Sequence, residues 1–349
     1  MSTAMRLYAL RALYEDFYEG SRGSLEENDD VYADNVPGAG VGLFAKRKFG
    51  VGDLVLAEVP FLKVPAKSKT VEESAKDSEA IINSLSEDSD EYRMFFSLSD
   101  KYDHSNQVKT VHGIVETNGL PMGDVDELGS IPEYAGMYIL TCRVNHSCQP
   151  NVHHQWNSIR KQQTLYCIRP ISPGDAIVTS YFDCAGLSRE DRYHRTHSKW
   201  KFDCACPKCQ LDGEALRVSD DLQSTLARLD ANIQMIAGLD PVKAIRYCRE
   251  RISLLEEEGD CDPMELVRTY FDAFQISIQY PDARHEAIGF ICKAYRSSVI
   301  ARGLDSAQTC KLEKLVLNPS LFWKQEEKPQ VVCQGYPEFV RYIRKKYSN

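Results

Sequence analysis

The stretch Asn145-His146-Ser147-Cys148-Gln149-Pro150-Asn151 decides how we interpret this chain. It is a run of small polar side chains interrupted by a proline, so it fits neither a helix interior nor a central strand. Downstream, Tyr181 and the cluster Cys204-Ala205-Cys206-Pro207-Lys208-Cys209 offer further chemically active side chains. We interpret these three segments as parts of one functional site.

Length and composition limit what the protein can be. The 349 residues exceed what one hydrophobic core usually organises, so we expect two domains or one domain with large attachments. The hydrophobic fraction of 43% is ordinary for a globular protein, and no apolar run is long enough to span a bilayer. The start of the chain lacks the long apolar core of a secretory signal. We therefore expect a protein of the nucleus or cytoplasm that does not act in a membrane.

Cysteine content and charge narrow the chemistry. Twelve cysteines without an export signal argue against a disulfide scaffold, because the cytosol and nucleus keep thiols reduced. Metal ligation or burial explains them better. The net charge of −9 disfavours direct binding of nucleic acid, since phosphates require clustered Lys and Arg. A basic protein segment suits an acidic chain better as a partner. We also expect the protein to be a monomer.

The first third of the chain alternates between helical and β patterns. Residues 3–19 place apolar side chains at helical spacing, and residues 20–30 resemble a linker. Between residues 36 and 60, glycine turns separate apolar runs, which predicts strands. Residues 66–109 are highly charged and predict a helical insertion. The segment from Val111 to Met122 predicts a return to β structure or a passage from strand to loop.

The remainder predicts a short β region and then helices. Residues 165–169 and 176–181 predict strands on either side of a turn at residues 171–175. Beyond Cys209, apolar side chains repeat at helical spacing in segments joined by short turns. Residues 214–349 therefore predict a helical domain that resembles a tetratricopeptide-like array.

The cysteine cluster is the first specific chemical signal. Cys204, Cys206 and Cys209 place three soft ligands close together, and zinc prefers four such ligands in a tetrahedron. The alternative is a group of buried thiols without a metal. The sequence leaves the fourth ligand open. The candidates are Cys184, His194 and His197 nearby, and Cys148 at a distance.

Four motifs follow one another along the chain: Gly40-Val41-Gly42, the stretch from Asn145 to Asn151, Gly174-Asp175 followed by Tyr181, and Trp200-x-Phe202-x-Cys204-x-Cys206-x-x-Cys209. They occur in the order and spacing of the SET domain, and the chain resembles the SET-domain protein lysine methyltransferases, most closely the SET-and-MYND branch. The resemblance covers residues 31–210. The cysteine-rich MYND module is missing, because residues 66–109 contain no cysteine.

The resemblance implies an α+β fold. A β-rich SET domain with a pseudoknot and a post-SET zinc site is expected, followed by an α-helical tetratricopeptide-like domain. The implied boundaries are 1–30 for an N-terminal helix and linker, 31–203 for the SET domain with its insertion at 66–109, 204–213 for the post-SET zinc segment, and 214–349 for the helical domain. We expect the SET and helical domains to face each other across a groove that binds the substrate peptide.

The resemblance also implies S-adenosylmethionine as cofactor and one structural zinc ion. The residues implied for cofactor binding are Gly40, Val41, Gly42, Asn118, Asn145, His146, Tyr181 and Phe202. The catalytic residue would be Tyr181, which with Trp200 and Phe202 would line the substrate lysine channel. The implied zinc ligands are Cys148, Cys204, Cys206 and Cys209.

The expected enzyme transfers a methyl group to a lysine side chain of a histone or another protein. Lysine attacks only as a neutral amine, and neutralising it at pH 7 costs roughly 4 kcal/mol for a pKa of about 10.4. An aromatic channel lowers this cost by desolvating the ammonium group, and Tyr181 would orient the amine. His146 is expected to contact the cofactor through its backbone, and His153 and His154 are expected at the surface.

Some positions depart from the family pattern. Ala39 and Val41 stand where close relatives carry polar side chains, so contact with the cofactor there would come from the backbone. Cys142 replaces an arginine of many histone-directed SET domains, and Ala176 replaces a common glutamate. A second function therefore stays open, a catalytically weak or inactive scaffold that presents a peptide-binding surface. Retention of Tyr181, of Asn145 and of the full cysteine set favours the enzyme.

Overall fold

The computed structural model describes residues 28–66, 71–102, 109–123, 132–259, 262–322 and 336–348. The helix predicted over residues 3–19 lies outside these ranges. Within them, no helix is both long and apolar enough to cross a membrane.

Ten short strands form three small sheets in the part of the chain before residue 180. They are β1 (Val31–Val36), β2 (Gly40–Ala45), β3 (Leu54–Glu58), β4 (Leu62–Pro65), β5 (Leu120–Pro121), β6 (Tyr134–Met137), β7 (Asn145–His146), β8 (Val152–Asn157), β9 (Gln162–Cys167) and β10 (Ala176–Thr179). The sheet orders are β1-β2-β10-β7, β3-β9-β8 and β4-β6-β5.

The first of these sheets assembles the site. Strand β10 pairs antiparallel with β2, which begins in the glycine turn, and parallel with β7, which is the Asn145-His146 pair. In the parallel pairing, Val178 lies opposite Asn145 and Thr179 opposite His146. Tyr181 follows directly after this strand. Three motifs that are far apart in sequence therefore meet at one end of one sheet.

The structure describes ten α-helices, most of them after residue 210. They are α1 (Val71–Ile82), α2 (Asp90–Ser97), α3 (Val111–Asn118), α4 (Arg189–Arg195), α5 (Gly213–Ile236), α6 (Pro241–Glu258), α7 (Pro263–Ser277), α8 (Arg284–Arg302), α9 (Ala307–Leu317) and α10 (Pro337–Lys346). The helices predicted inside the insertion and after Cys209 are present.

The β prediction for Val111 to Met122 is wrong for most of that segment. Helix α3 occupies Val111–Asn118, and only Leu120–Pro121 is a strand. The Thr110 hydroxyl caps the helix by accepting a hydrogen bond from the Gly113 N–H, and Ile114 is fully buried in the insertion core. Tertiary packing and the cap thus outweigh the β propensity of Val and Thr.

A buried carboxylate fixes the backbone turn that precedes the Asn145-His146 pair. Glu58, at the end of β3, accepts hydrogen bonds from the N–H groups of Ile139, Leu140 and Thr141 at 2.8, 3.1 and 2.8 Å. The Thr141 hydroxyl donates a further bond at 2.7 Å. Burial raises the pKa of Glu58, and these donors act in the opposite sense by stabilising its charged form. The carboxylate therefore holds the turn that leads into β7.

The helical region packs against the sheet that contains β8 and β9. The side chains of His153 and Asp262 meet at 2.7 Å, and the Asn157 amide donates to Asp305 at 3.1 Å. Gly303 follows α8 with φ of 76°, and a Cβ atom there would overlap the Tyr166 hydroxyl. This close approach requires a glycine, so β8 and β9 and the helices share a tightly packed boundary.

Candidate active site and metal centre

The glycine turn lies against Asn145. A Cβ atom at Gly42 would lie 2.5 Å from Val36 Cγ2 and 3.2 Å from Asn145 Nδ2, so a larger residue would push the two segments apart. The Asn145 amide donates to the Val41 carbonyl at 3.4 Å. At Gly40, with φ of 70°, a Cβ atom would meet nothing within 4 Å. The start of β2 is thus tied to Asn145 and open on the Gly40 side.

His146 connects Tyr181 to the cysteines. Its Nδ1 accepts the Tyr181 N–H at 3.1 Å, and its Nε2 lies 3.4 Å from Cys148 Sγ. Burial lowers the pKa of His146 to about 4, so the ring is neutral at pH 7. Because Nδ1 accepts, the single ring proton is on Nε2 and is directed at the sulfur. His146 is therefore a positioning residue between the two groups.

The Tyr181 hydroxyl is held in one orientation. It donates to the Val144 carbonyl at 2.9 Å. Burial raises the pKa of Tyr181 above its usual value, so the group stays protonated at neutral pH. Since its proton is used, the oxygen can act towards a substrate only as an acceptor.

Aromatic rings surround Tyr181. Trp200 and Phe202 lie 5.5 and 6.4 Å from its ring centre. Phe182 stacks on Trp200 at 5.6 Å and on His146 at 5.0 Å. The sequence predicted Trp200 and Phe202 here, whereas Phe182 was missed. Because Phe182 directly follows Tyr181 in the sequence, that adjacency could have indicated it.

The local backbone conformation brings the Trp200 and Phe202 rings together beside Tyr181. The chain leaves α4 through a π-helical turn, Thr196–Trp200, and Lys201 then adopts the left-handed conformation with φ of 62°. Such wide turns often occur at functional sites. The reversal at Lys201 lets both neighbouring rings contact Tyr181.

The four predicted zinc ligands come together. The Sγ atoms of Cys148, Cys204, Cys206 and Cys209 all lie within 4.8 Å of one another. Cys148 Sγ is 3.5 Å from Cys209 Sγ and 3.9 Å from Cys204 Sγ. Zn–S bonds of about 2.3 Å in a tetrahedron place the sulfurs about 3.8 Å apart. The donor set therefore fits one zinc ion.

The other candidates for the fourth ligand lie elsewhere or form a second group. His194 and His197 are exposed and lie beside Glu190 and Asp203 at 3.6 and 3.0 Å. Cys184 lies within 4.8 Å of both His146 and Cys148, as a three-residue group that shares Cys148 with the first. The structure thus favours Cys148 among the four alternatives.

Arg192 supplies a positive charge beside the cysteines. It is fully buried, donates to the Leu187 carbonyl at 2.8 Å and contacts Cys209. A zinc ion with four thiolates carries two net negative charges, which a buried guanidinium partly offsets. Sequence inspection did not find this residue, because an arginine in a short polar helix gives no sign of being buried.

A cavity of about 320 Å³ opens beside Tyr181. Tyr181, Phe182 and Cys148 line one side, and Asp262 and Glu265 lie at or near the start of α7 on the other. The cavity therefore lies between the β region and the helices.

His153 and His154 also line this cavity, so these two expected surface residues are only partly exposed. His154 Nδ1 lies 2.8 Å from the Thr179 hydroxyl, and burial lowers the pKa of His154 to about 4. The helices cover this face of β8, and local sequence gave no sign of that cover.

Asn118 makes its contacts in the insertion. Its side chain is buried, and its amide donates to the Ser99 and Ile114 carbonyls, both at 2.7 Å. Its own carbonyl accepts from the Cys142 thiol at 3.3 Å. These contacts stabilise the end of α3, and the predicted contact of Asn118 with the cofactor stays a prediction.

Comparison with known proteins identifies the domain. Residues 40–182 match the family model of the SET domain. The histone-lysine N-methyltransferase set5 of Schizosaccharomyces pombe is 27% identical over 81% of this chain and 82% of its own length. The protein-lysine N-trimethyltransferase SMYD5 of Mus musculus is 30% identical over 26% of this chain, a match that spans 22% of SMYD5.

Among solved structures, one of ctPRC2 in complex with H3K27me3 and H3K27M aligns with 83% of this chain and 32% of its own, at 13% identity and a TM-score of 0.26. The family match and the two sequence relatives agree with the geometry of the sheet that joins β2, β10 and β7. Residues 40–182 are therefore a SET domain, in a chain similar to the SET-and-MYND proteins.

Proposed function

We propose that the protein is an S-adenosylmethionine-dependent protein-lysine N-methyltransferase. The observation that carries the proposal is the partly buried Tyr181, whose hydroxyl is fixed by the Val144 carbonyl inside a group of aromatic rings. The SET domain and the relatives named as lysine methyltransferases support the same activity.

The residues proposed to hold the cofactor fit that role. The backbone is accessible at Gly40, where a Cβ atom would meet nothing within 4 Å, and Gly42 packs closely against the neighbouring Asn145. His146 and Phe202 lie next to each other, with ring centres 5.8 Å apart. When bound, S-adenosylmethionine supplies an activated methyl group on a positively charged sulfur. Both amide hydrogens of Asn118 already donate to carbonyls, so Asn118 would complete the set as an acceptor through its side-chain oxygen.

The chain's own residues would prepare the lysine. The rings of Tyr181, Phe182, Trp200 and Phe202 exclude water and favour the neutral amine, which reduces the deprotonation cost of roughly 4 kcal/mol. The Tyr181 oxygen accepts an N–H bond from the amine and so directs its lone pair. Alignment is then the main contribution of the protein.

The cavity beside Tyr181 is the proposed entrance for a substrate peptide. Four acidic residues line it; three of them form ion pairs within the protein, and the fourth, Asp183, accepts a hydrogen bond from the Ala185 N–H at 2.9 Å. The four are Asp183, Glu258, Asp262 and Glu265. Asp183 is exposed, and together with the net charge of −9 it favours a basic segment of a histone or another protein. We propose that a tetratricopeptide-like domain at 214–349 forms the second wall, in a monomer of the nucleus or cytoplasm.

We also propose that Cys148, Cys204, Cys206 and Cys209 bind one structural zinc ion. The ion would hold the post-SET segment, and with it Phe202, against the Asn145-His146 segment in a pseudoknotted SET fold. Metal analysis of protein purified without chelators should give about one zinc per chain. A metal-free, fully folded protein would contradict the assignment.

Two measurements test the enzymatic proposal. Calorimetric titration of the full chain with S-adenosylmethionine should show saturable binding, and cofactor with a labelled methyl group should label proteins in a whole-cell lysate or purified histones at lysine. A folded, zinc-containing protein that binds no cofactor would instead support the scaffold.

A further inference from the structure

Cys184 is a fifth thiol beside the proposed zinc ion. Its Sγ atom lies within 4.8 Å of Cys148 Sγ and of a ring nitrogen of His146. Cys148 belongs both to this group and to the group of four cysteines. Because the four-cysteine group already completes a tetrahedron, Cys184 is left as a free thiol next to a zinc ligand.

Cys184 can be reached from the cavity. It lines that space together with Cys148, and its sulfur lies 3.2 Å from the Ser180 hydroxyl. Cys167 and Cys248, in contrast, are fully buried in apolar surroundings. A small oxidant that enters the cavity therefore meets Cys184 without any unfolding of the chain.

We propose that Cys184 is a redox-sensitive thiol that forms a disulfide with Cys148 on exposure to hydrogen peroxide and so releases the zinc ion. This inference rests on the zinc site proposed above. The peroxide oxidises the Cys184 thiol to a sulfenic acid, and one water leaves. The Cys148 thiolate then leaves the zinc and attacks the Cys184 sulfur, which expels hydroxide. The two sulfurs lose two electrons in total, and the peroxide ends as two waters after the hydroxide takes up a proton.

The disulfide would change the contacts that position Tyr181. In the reduced protein, His146 connects Cys148 Sγ to the Tyr181 N–H through contacts of 3.4 and 3.1 Å. Movement of the Cys148 sulfur towards Cys184 removes the acceptor of the His146 Nε2 proton. Loss of zinc also frees the segment that carries Phe202. Oxidation should therefore stop methyl transfer, and a dithiol with added zinc should restore it.

The experiment uses the full-length, zinc-containing protein. It is titrated with hydrogen peroxide while a chromogenic chelator reports free zinc, and peptide mapping by mass spectrometry identifies the disulfides. The wild type should release zinc with a Cys148–Cys184 disulfide. Cys184→Ser, which keeps all four proposed ligands, should need several-fold more peroxide. The control Cys292→Ser removes a partly buried thiol on α8 outside the cluster and should behave as the wild type.

Three results would overturn the inference. Equal release from Cys184→Ser and wild type is one, and disulfides only among Cys204, Cys206 and Cys209 are another. The third is a reduced protein that contains no zinc. Failure of the methyltransferase proposal is recognised separately, because cofactor binding is measured on the reduced protein before any peroxide is added.

Discussion

Replacing Tyr181 with Phe removes one oxygen and keeps the ring. The lost hydroxyl donates to the Val144 carbonyl at 2.9 Å, and removing a buried hydrogen bond of this kind costs about 1 kcal/mol of stability. The same change removes the acceptor that positions the amine, and loss of one positioning group in a site shielded from water lowers the rate by about 10²–10³, or about 2.7–4 kcal/mol. The two magnitudes are different enough to be separated.

The assay measures each magnitude separately. Denaturant unfolding gives the stability change, calorimetry gives affinity for S-adenosylmethionine, and single-turnover labelling gives the rate of methyl transfer. A domain with a free energy of unfolding of about 5–15 kcal/mol stays folded after a loss of about 1 kcal/mol. We therefore expect nearly unchanged cofactor affinity and a rate lowered by two orders of magnitude or more.

Tyr138→Phe is the matched control. Tyr138 is fully buried, and its hydroxyl has no hydrogen-bond partner among the described residues. Its removal should leave stability unchanged or raised and should leave the rate unchanged. If Tyr181→Phe turns over within a few-fold of the wild type, the assignment of Tyr181 to the chemical step is refuted.

Three other changes test separate parts of the site. Gly42→Ala should weaken binding of S-adenosylmethionine in calorimetry, because the new methyl group would lie 2.5 Å from Val36 Cγ2. The control Gly289→Ala places its methyl group in open space on α8 and should leave the affinity unchanged. Equal affinities in the two variants would refute the role given to the close approach at Gly42. Glu58→Ala should lower the free energy of unfolding by at least about 3 kcal/mol, since three N–H groups lose their acceptor. A loss below about 1 kcal/mol in denaturant unfolding would contradict the role of this carboxylate. His154 has a pKa of about 4 in the folded protein, against about 6.5 in the unfolded chain. Between these two pH values the unfolded chain binds more protons than the folded protein. The free energy of unfolding therefore falls as the pH falls through this window, by up to about 1.4 kcal/mol per pH unit. Unfolding measured at several pH values should show a shallower dependence in His154→Gln and an unchanged one in the exposed control His285→Gln, and equal slopes in all three proteins would count against the buried, neutral His154.

The sequence predicted the elements whose signal is local. The strands on either side of Gly174 and the helices after Cys209 have clear periodicity, and both are present. From the residues alone the remote Cys148 was one of four alternatives for the fourth ligand; the family resemblance implied it, and the fold brings its sulfur to the other three. That approach depends on β7 lying parallel to β10, which no local pattern encodes.

The missed features share a physical origin. Helix α3 forms because Ile114 is buried and Thr110 caps the helix, although its residues have β propensity. Arg192 is fully buried and His154 partly buried, and segments distant in sequence cover both. Glu58 resembles any acidic residue at a strand end, and only the approach of the 139–141 backbone reveals its role. Each of these required tertiary contacts to be known.

The proposed zinc site and the proposed methyl-transfer site form one mechanical unit. Val144 holds the Tyr181 hydroxyl, His146 holds the Tyr181 N–H, and Cys148 accepts from the same His146 ring, all within five consecutive residues. A zinc ion on Cys148 would also bind Cys204, Cys206 and Cys209, which lie a few residues after Phe202, and the Phe202 ring contacts Tyr181. Tyr181 would then be held from the segment before it and from the segment after it by one ion. This arrangement explains why a structural metal would affect the rate of a reaction in which it takes no chemical part.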